Sequence, residues 1–307
     1  MQSNLLPYVS VIISALDNEA LIKNCLISLL QMLYPSERRE IVVVDNGSKD
    51  RTAEIIKSFP VRYFYERRRG VSYARNRGIE ASKGEILAFT DPDCVASKGW
   101  LNELIQAFEE EEVGGVAGAI IPYPGQTPAE LYAARIRSHS QERPMNYSLR
   151  PFAMTPNIAF RREVFQQIGR FDTQFPGGGW EDADLCWRLS RETNLKLKYA
   201  PRAIVFHRYR TTAKDFFIQH VRYGSGLAIL FAKYNDELSW GWREHIRAYR
   251  DLAGAALTLA KLVFQHMILR GKAEDLDTAF FGFLRQLGQR FGFLRGSFSI
   301  RRFYLDG

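Results

Sequence analysis

Hydrophobic positions along the first half of the chain alternate between two periods. Short apolar runs at Tyr8–Ser14, Ile41–Val44, Val61–Tyr65, Glu85–Thr90 and Gly115–Ile121 read as buried strands, and helix-spaced segments lie between them. Ile22, Leu26, Leu29, Leu30 and Leu33 fall at i, i+4, i+7, i+8 and i+11, one face of a helix that Asp17 or Asn18 is placed to cap. A second helix follows Ser48 or Asp50, a third covers Ser72–Ser82, and a fourth covers Trp100–Glu111. This alternation predicts an α/β fold with a mostly parallel central sheet and helices on both faces. Ligands of such sheets bind beyond the carboxyl ends of the strands. The residues that follow each strand are therefore the ones to inspect.

The second half is less regular. Pro122–Pro151 holds five prolines and one expected helix around Ala129–Ser138. Order resumes over Asn157–Phe171, and Pro176–Gly179 reads as a flexible lead into a helix at Trp180–Ser190. Lys196–Tyr199 and Ala203–Phe206 read as two short strands flanking Pro201, and from Thr212 onward the pattern is helical. Leu252–Leu269 is nearly long enough to span a bilayer, but Lys261 near its middle would cost ~2.5–3.5 kcal/mol there. Arg247, Asp251, Gly254, Thr258, Lys261, Gln265 and Lys272 recur at helical steps and form a polar stripe, the pattern of an amphipathic helix rather than a spanning one. Two domains are expected: residues 1–235, and a helical, basic and aromatic extension over residues 236–307 that associates with a membrane.

Composition narrows the class. Hydrophobic residues are 46% and charged residues 25%, which suits a globular chain and excludes a disordered or collagen-like one. Cys25, Cys94 and Cys186 are odd in number and form no CxxC pair, so a reducing compartment is expected rather than a disulfide framework. The opening MQSNLLPY has neither the basic start nor the apolar run of a signal peptide, and the expected location is the cytoplasm, peripherally at the inner face of the cell membrane. Charge is unevenly spread. Residues 1–200 hold 25 Lys+Arg against 25 Asp+Glu, whereas residues 201–307 hold 17 against 9. Between Asp277 and Asp306 there is no acid, but there are five arginines, Arg285, Arg290, Arg295, Arg301 and Arg302, and the pentapeptide FGFLR appears at Phe281–Arg285 and Phe291–Arg295. Such a surface attracts anionic ligands, nucleic acid or an anionic membrane; a solvated helical face, or a bundle packed on the core or a second subunit, accounts for it equally.

Five constellations carry chemistry. Asp91-Pro92-Asp93 follows the strand Glu85–Thr90, and two carboxylates at i and i+2 on extended backbone point to one side, where a hard divalent cation relieves their repulsion. The same triplet is good turn chemistry. Asp45-Asn46-Gly47-Ser48 places an acid at a strand's end beside a turn, suited to a base or ribose and equally to any β–α turn. Arg75 lies near a helix start, where a guanidinium can fork onto a diphosphate. Gly177-Gly178-Gly179-Trp180-Glu181-Asp182 joins a glycine run to an acidic pair that opens a helix; the pair suits helix-dipole stabilisation or a general base, and Trp180 suits a sugar platform or a core position. His207 stands at a strand's carboxyl end, as a metal ligand or a structural histidine.

In this order and spacing the segments resemble the family 2 glycosyltransferases of GT-A fold. The likeness runs from VSVIISALDNEALIKNCLISL and EIVVVDNGSKDRT, through GVSYARNRGIEASKGEILAFTDPDC and NIAFRREVFQQIGRFD, to GGWEDADLCWRL and YAPRAIVFH, about residues 7–210. The resemblance implies an inverting transferase that moves a sugar from a nucleotide-diphosphate sugar donor to an acceptor hydroxyl, in cell-surface polysaccharide or glycolipid synthesis. It implies that Ser14, Ala15 and Glu19 line the nucleotide, Asp45 reads the base, Arg75 lies near the diphosphate, and Asp91 lies near the ribose. It implies a divalent cation, Mn2+ or Mg2+, held by Asp93 of the DxD motif with His207. Asp182 matches the catalytic base, with Glu181 its helper or rival, and Trp180 and Gly179 are expected to meet a saccharide or lipid-linked acceptor. Ser14, Asn46 and Cys94 depart from the pattern, where proline, a second aspartate and a third acid are common. They bear on the donor's identity. Three alternatives remain: a nucleotidyltransferase, a non-catalytic nucleotide-sugar binder, and a nucleic-acid-binding protein, the last disfavoured by the balanced charge of residues 1–200. No nucleic-acid partner is expected.

Overall fold

The computed structural model describes residues 6–146, 150–175, 177–238, 241–269 and 272–300. The chain begins with β1 (Val9–Ala15), α1 (Ile22–Leu30), β2 (Arg39–Asp45), α2 (Thr52–Lys57), β3 (Arg62–Tyr65), α3 (Val71–Ala81), β4 (Ile86–Thr90), β5 (Cys94–Ala96), α4 (Trp100–Gln106) and β6 (Val113–Pro122). Next come α5 (Pro128–Arg135), α6 (Glu142–Met145), β7 (Ile158–Arg161), α7 (Arg162–Gln167), α8 (Glu181–Glu192) and β8 (Lys196–His207). The remaining helices are α9 (Ala213–Lys233), α10 (Asn235–Leu238), α11 (Trp242–Leu269) and α12 (Ala273–Ser299).

The strands form one eight-stranded sheet in the order β3-β2-β1-β4-β7-β6-β8-β5. The pairs β2–β3, β1–β2, β1–β4 and β6–β8 are parallel, while β7 runs against β4 and β6, and β5 against β8. Continuous apolar strands follow from cores on both sides. Val9, Val11, Ile13, Ile41 and Val43 pack with Leu26, Leu29, Trp100 and Leu104 on one face. Ile12, Val42, Val44, Leu87 and Phe89 pack with Ala74, Val164, Phe165 and Leu185 on the other.

Several boundaries differ from the sequence expectation. The first helix stops at Leu30, and Leu33 is 69% exposed. Asn18 does not cap it; its side-chain oxygen accepts from the Leu16 N–H, whereas Asp50 accepts from the Thr52 N–H at the start of α2. The two short strands around Pro201 are one strand, β8, whose register against β6 shifts between Gly118 and Ala119. A bulge absorbs the extra residues, which is how a proline is carried inside a strand.

By contacts the described residues fall into two compact units. One lies within Met1–Tyr123, His139–Pro176 and Glu181–Arg208 and contains the sheet. The other lies within Pro124–Ser138, Gly177–Trp180 and Tyr209–Gly307 and is helical. In the helical unit α12 packs lengthwise on α9, and Tyr132 of α5 meets Phe216 of α9, which meets Phe281 of α12, with ring centroids 5.8 and 5.2 Å apart. Among the described residues no helix is long and apolar enough to cross a membrane.

Candidate active site

Parallel pairing brings the carboxyl ends of β1, β2 and β4 to one edge, since Ala15 is in register with Asp45 and Ile13 with Thr90. Ala15 is buried and Ser14 half-buried at the end of β1. Glu19 is exposed on the following loop, where its carboxylate accepts from the Arg51 N–H at 2.9 Å. Asp45 is buried at the end of β2; it accepts from the Ser48 N–H at 2.9 Å and the Tyr63 hydroxyl at 3.1 Å. Burial, and then the Asp45 charge, push the Tyr63 phenol up to about 12. Asn46 has a job that aspartate cannot do. Its amide NH2 donates to the Glu66 and Arg68 carbonyls, and its oxygen accepts from the Gly70 N–H. It thereby latches the segment before α3, whose N-cap residue Gly70 has φ +138°.

Asp91-Pro92-Asp93 is a turn, not the extended segment expected: the Cys94 N–H donates to the Asp91 carbonyl at 3.0 Å. Pro92 favours that geometry by fixing φ at the turn's second position. Both carboxyls nonetheless stay at the site, held by different partners. Asp91 receives the Arg75 Nη2 at 3.3 Å, and Asp93 lies 3.5 Å from the His207 Nε2. The antiparallel pairing of β5 with β8 makes the second contact, setting Cys94 opposite His207, while the Arg208 N–H donates to the Asp93 carbonyl. His207 is the last residue of β8 rather than one beyond it.

Arg75 joins the two acidic motifs. It is 5% exposed, and its Nη1 donates to the Glu181 carboxylate at 2.5 Å while its Nη2 reaches Asp91. Phe171 covers the guanidinium, 5.4 Å from the ring centroid. Glu181 is 2% exposed at the first residue of α8. Asp182, next to it, is half-buried and accepts from the Thr155 N–H at 3.2 Å and the Ala183 N–H at 2.9 Å. Burial and the neighbouring Glu181 charge raise its carboxyl to about 7, against the lowering pull of Arg75. Asp91 is likewise raised to about 6, by burial first. Trp180 and Gly179 group with the helical unit; the Trp180 indole N–H donates to the Tyr223 carbonyl at 3.0 Å.

Asp93, Cys94 and His207 each offer a ligand atom within 4.8 Å of the others. Burial and the neighbouring Asp93 charge hold the Cys94 thiol well above its ordinary range, and a hard divalent cation prefers the carboxylate and the imidazole. Asp91, Glu181 and Asp182 surround one guanidinium, with Asp93 beside Asp91, an excess of carboxyls that a divalent cation fits. His139 was invisible to sequence reasoning. It lies buried in the proline-rich segment and stacks on His207 with centroids 4.4 Å apart, fixing that ring's plane. Nothing local announces it, because the contact joins residues 68 apart in sequence.

Residues 10–169 match the family described as Glycosyl transferase family 2. Glycosyltransferase AglE of Haloferax volcanii is 34% identical over 66% of this chain and 67% of its own length. Glucosyl-dolichyl phosphate glucuronosyltransferase of the same organism is 27% identical over 60% of this chain, which spans 64% of that relative. Among solved structures, mannosyltransferase PcManGT from Pyrobaculum calidifontis, in complex with GDP-Man and Mn2+, aligns with a TM-score of 0.63 at 20% identity, covering 95% of this chain and 88% of the other. That alignment establishes the shared fold.

Proposed function

The chain belongs to glycosyl transferase family 2, and we propose that it moves a sugar from a nucleotide-diphosphate donor to an acceptor hydroxyl with inversion at the anomeric carbon. The observation that carries this reading is the unequal acidic pair. Glu181 is sealed against Arg75, whereas Asp182 remains half-exposed with a carboxyl near neutrality. A carboxylate with that protonation point suits a general base, and one locked in an ion pair does not. Asp182 therefore takes the proton of the acceptor hydroxyl as that oxygen attacks, and Glu181 orients Arg75.

Asp45, with Ser14, Ala15 and Glu19, forms the nucleoside end of the proposed donor site, and Asp91 the ribose end. Arg75 sets the two acidic motifs at a fixed separation and adds positive charge where the diphosphate departs. Asp93 and His207 would hold a divalent cation, and its chemistry there would be neutralisation of the leaving diphosphate. An imidazole donor beside a carboxylate favours Mn2+ over Mg2+, which prefers oxygen ligands. For the acceptor, the dolichyl phosphate in the name of the Haloferax relative supports a lipid-linked saccharide, and so a role in glycolipid or surface polysaccharide synthesis. Trp180 and Gly179, next to the base in the chain, are assigned to acceptor binding.

The test is Asp182→Asn assayed for nucleotide binding and for transfer. Binding retained with transfer lowered by about a thousandfold or more is expected of a lost base in a buried site. Full turnover by the variant refutes the assignment. Release of pyrophosphate instead of nucleoside diphosphate would indicate nucleotidyl transfer.

A further inference from the structure

Helix α11 has two apolar faces, and among the described residues only one is packed against another helix. Its Leu252, Leu259 and Leu262 are half-buried, and the helix packs on α12. The opposite face carries Ile246, Tyr249, Leu257, Phe264, Met267 and Ile268, which are 56%, 41%, 72%, 64%, 79% and 60% exposed. These positions lie within about 100° of arc at the α-helical turn angle. A stripe of this size is larger than scattered surface hydrophobics and marks an interaction face.

The following helix, α12, carries a smaller exposed apolar set, Phe280, Phe291, Leu294 and Phe298. Gly288, Gly292 and Gly296 of α12 lie against α9, and the Ser225 hydroxyl donates to the Gly292 carbonyl at 2.9 Å. Phe281 and Phe293, one from each FGFLR copy, are buried. Arg301 and Arg302 lie outside the described residues. Both helices lie in the extension expected to meet a membrane, and α11 presents the larger exposed apolar face.

We propose that the outward face of α11 docks onto an anionic lipid bilayer, lying along the surface with its axis in the plane of the headgroups. Charge favours this occupant. Exposed Arg243, Arg247, Arg250 and Lys261 border the apolar stripe, against Glu244 and Asp251 as the only acids of the helix. Basic residues beside a buried apolar face are what an interfacial helix presents to anionic headgroups. A second copy fits less well. The 28-residue helix is about 42 Å long and about 10 Å wide, so pairing this face with itself covers roughly 400 Å² per copy, about half of what a stable dimer buries.

The docking is independent of the chemistry, and vesicle binding reads it whether or not transfer occurs. The full chain is mixed with vesicles of phosphatidylcholine alone or enriched in phosphatidylglycerol, and the pelleted fraction is measured. Binding to the anionic vesicles is expected, with a partition coefficient about tenfold or more lower for Leu257→Glu/Met267→Glu at unchanged circular dichroism. Arg243→Gln/Arg247→Gln/Arg250→Gln should weaken binding to anionic vesicles and flatten its salt dependence. The proposal is overturned if the chain ignores anionic vesicles, or if Leu257→Glu/Met267→Glu binds them as the parent does. It is equally overturned if light scattering shows a dimer that this variant dissolves without any vesicle binding.

Discussion

With Asp182 as the proposed base, its protonation would set the pH range in which the site works. Its carboxyl is raised to about 7 by burial and the adjacent Glu181 charge, far above the ~4 of an exposed aspartate. The folded state therefore holds this proton more tightly than the unfolded chain. The group favours folding at low pH and withdraws that contribution as pH rises from about 4 to about 7, the window between its two values. For catalysis the sign is opposite, because a base acts only when ionised. The kcat/KM should rise with a slope near one decade per pH unit below about 7 and level off above it, as read from a pH–rate profile. A profile flat down to pH 5 would remove Asp182 as the base. Composition cannot show this property. The sequence marks the acidic pair, but only the Arg75–Glu181 ion pair decides which acid remains available. Arg75 itself reads as a diphosphate clamp in sequence, whereas folding buries it between Asp91 and Glu181.

At the scale of elements, most of the parallel strands were legible because each holds a short apolar run flanked by helix-spaced segments. Val9–Ala15 is shifted by one residue at each end from its expected bounds, and Ile86–Thr90 starts one residue later than expected. The helical unit was less legible. Thr127 and Glu130 make a reciprocal cap at the start of α5, a signal present in the sequence as Thr-Pro-Ala-Glu but masked by the surrounding prolines. The glycines of α12 look like helix weaknesses when read singly. In the fold they allow two backbones to touch: a Cβ on Gly292 would run into the Val221 carbonyl, and one on Gly224 into that of Gln289. Overpacking such a seam costs about 1–3 kcal/mol or more. Gly292→Val should lower stability in urea titration by at least that amount. Gly254 on α11 is the contrast, since a Cβ there meets nothing within 4 Å. Gly254→Ala should stabilise by about 0.5–1 kcal/mol through helix propensity alone. Equal effects from the two variants would contradict the close α9–α12 contact.

For the molecule as a whole, the charge totals conceal what matters most. Residues 1–200 balance to zero, and that balance disfavours nucleic acid as a partner. Within the same span, three carboxyls, Asp91, Glu181 and Asp182, converge on Arg75 while the compensating bases sit elsewhere, many of them exposed. Neutrality summed over a chain does not make any site neutral. Asp93 and His207 add a second feature: Asp93 lies in the turn just before β5 and His207 ends β8, far apart in sequence, and the pairing of β5 with β8 brings them together. A cation there would link distant parts of the sheet and relieve the carboxyl repulsion together, so it should stabilise the fold as well as serve the reaction. Binding at a hundredfold excess over the dissociation constant contributes about 2.7 kcal/mol. For a chain of this size that corresponds to a melting temperature raised by on the order of 5 °C. Calorimetry with Mn2+, then with EDTA, should show the rise and its reversal, and Asp93→Asn should show neither. A melting temperature indifferent to Mn2+, together with transfer unchanged in EDTA, would take the cation out of the scheme and leave Arg75 alone beside the departing diphosphate.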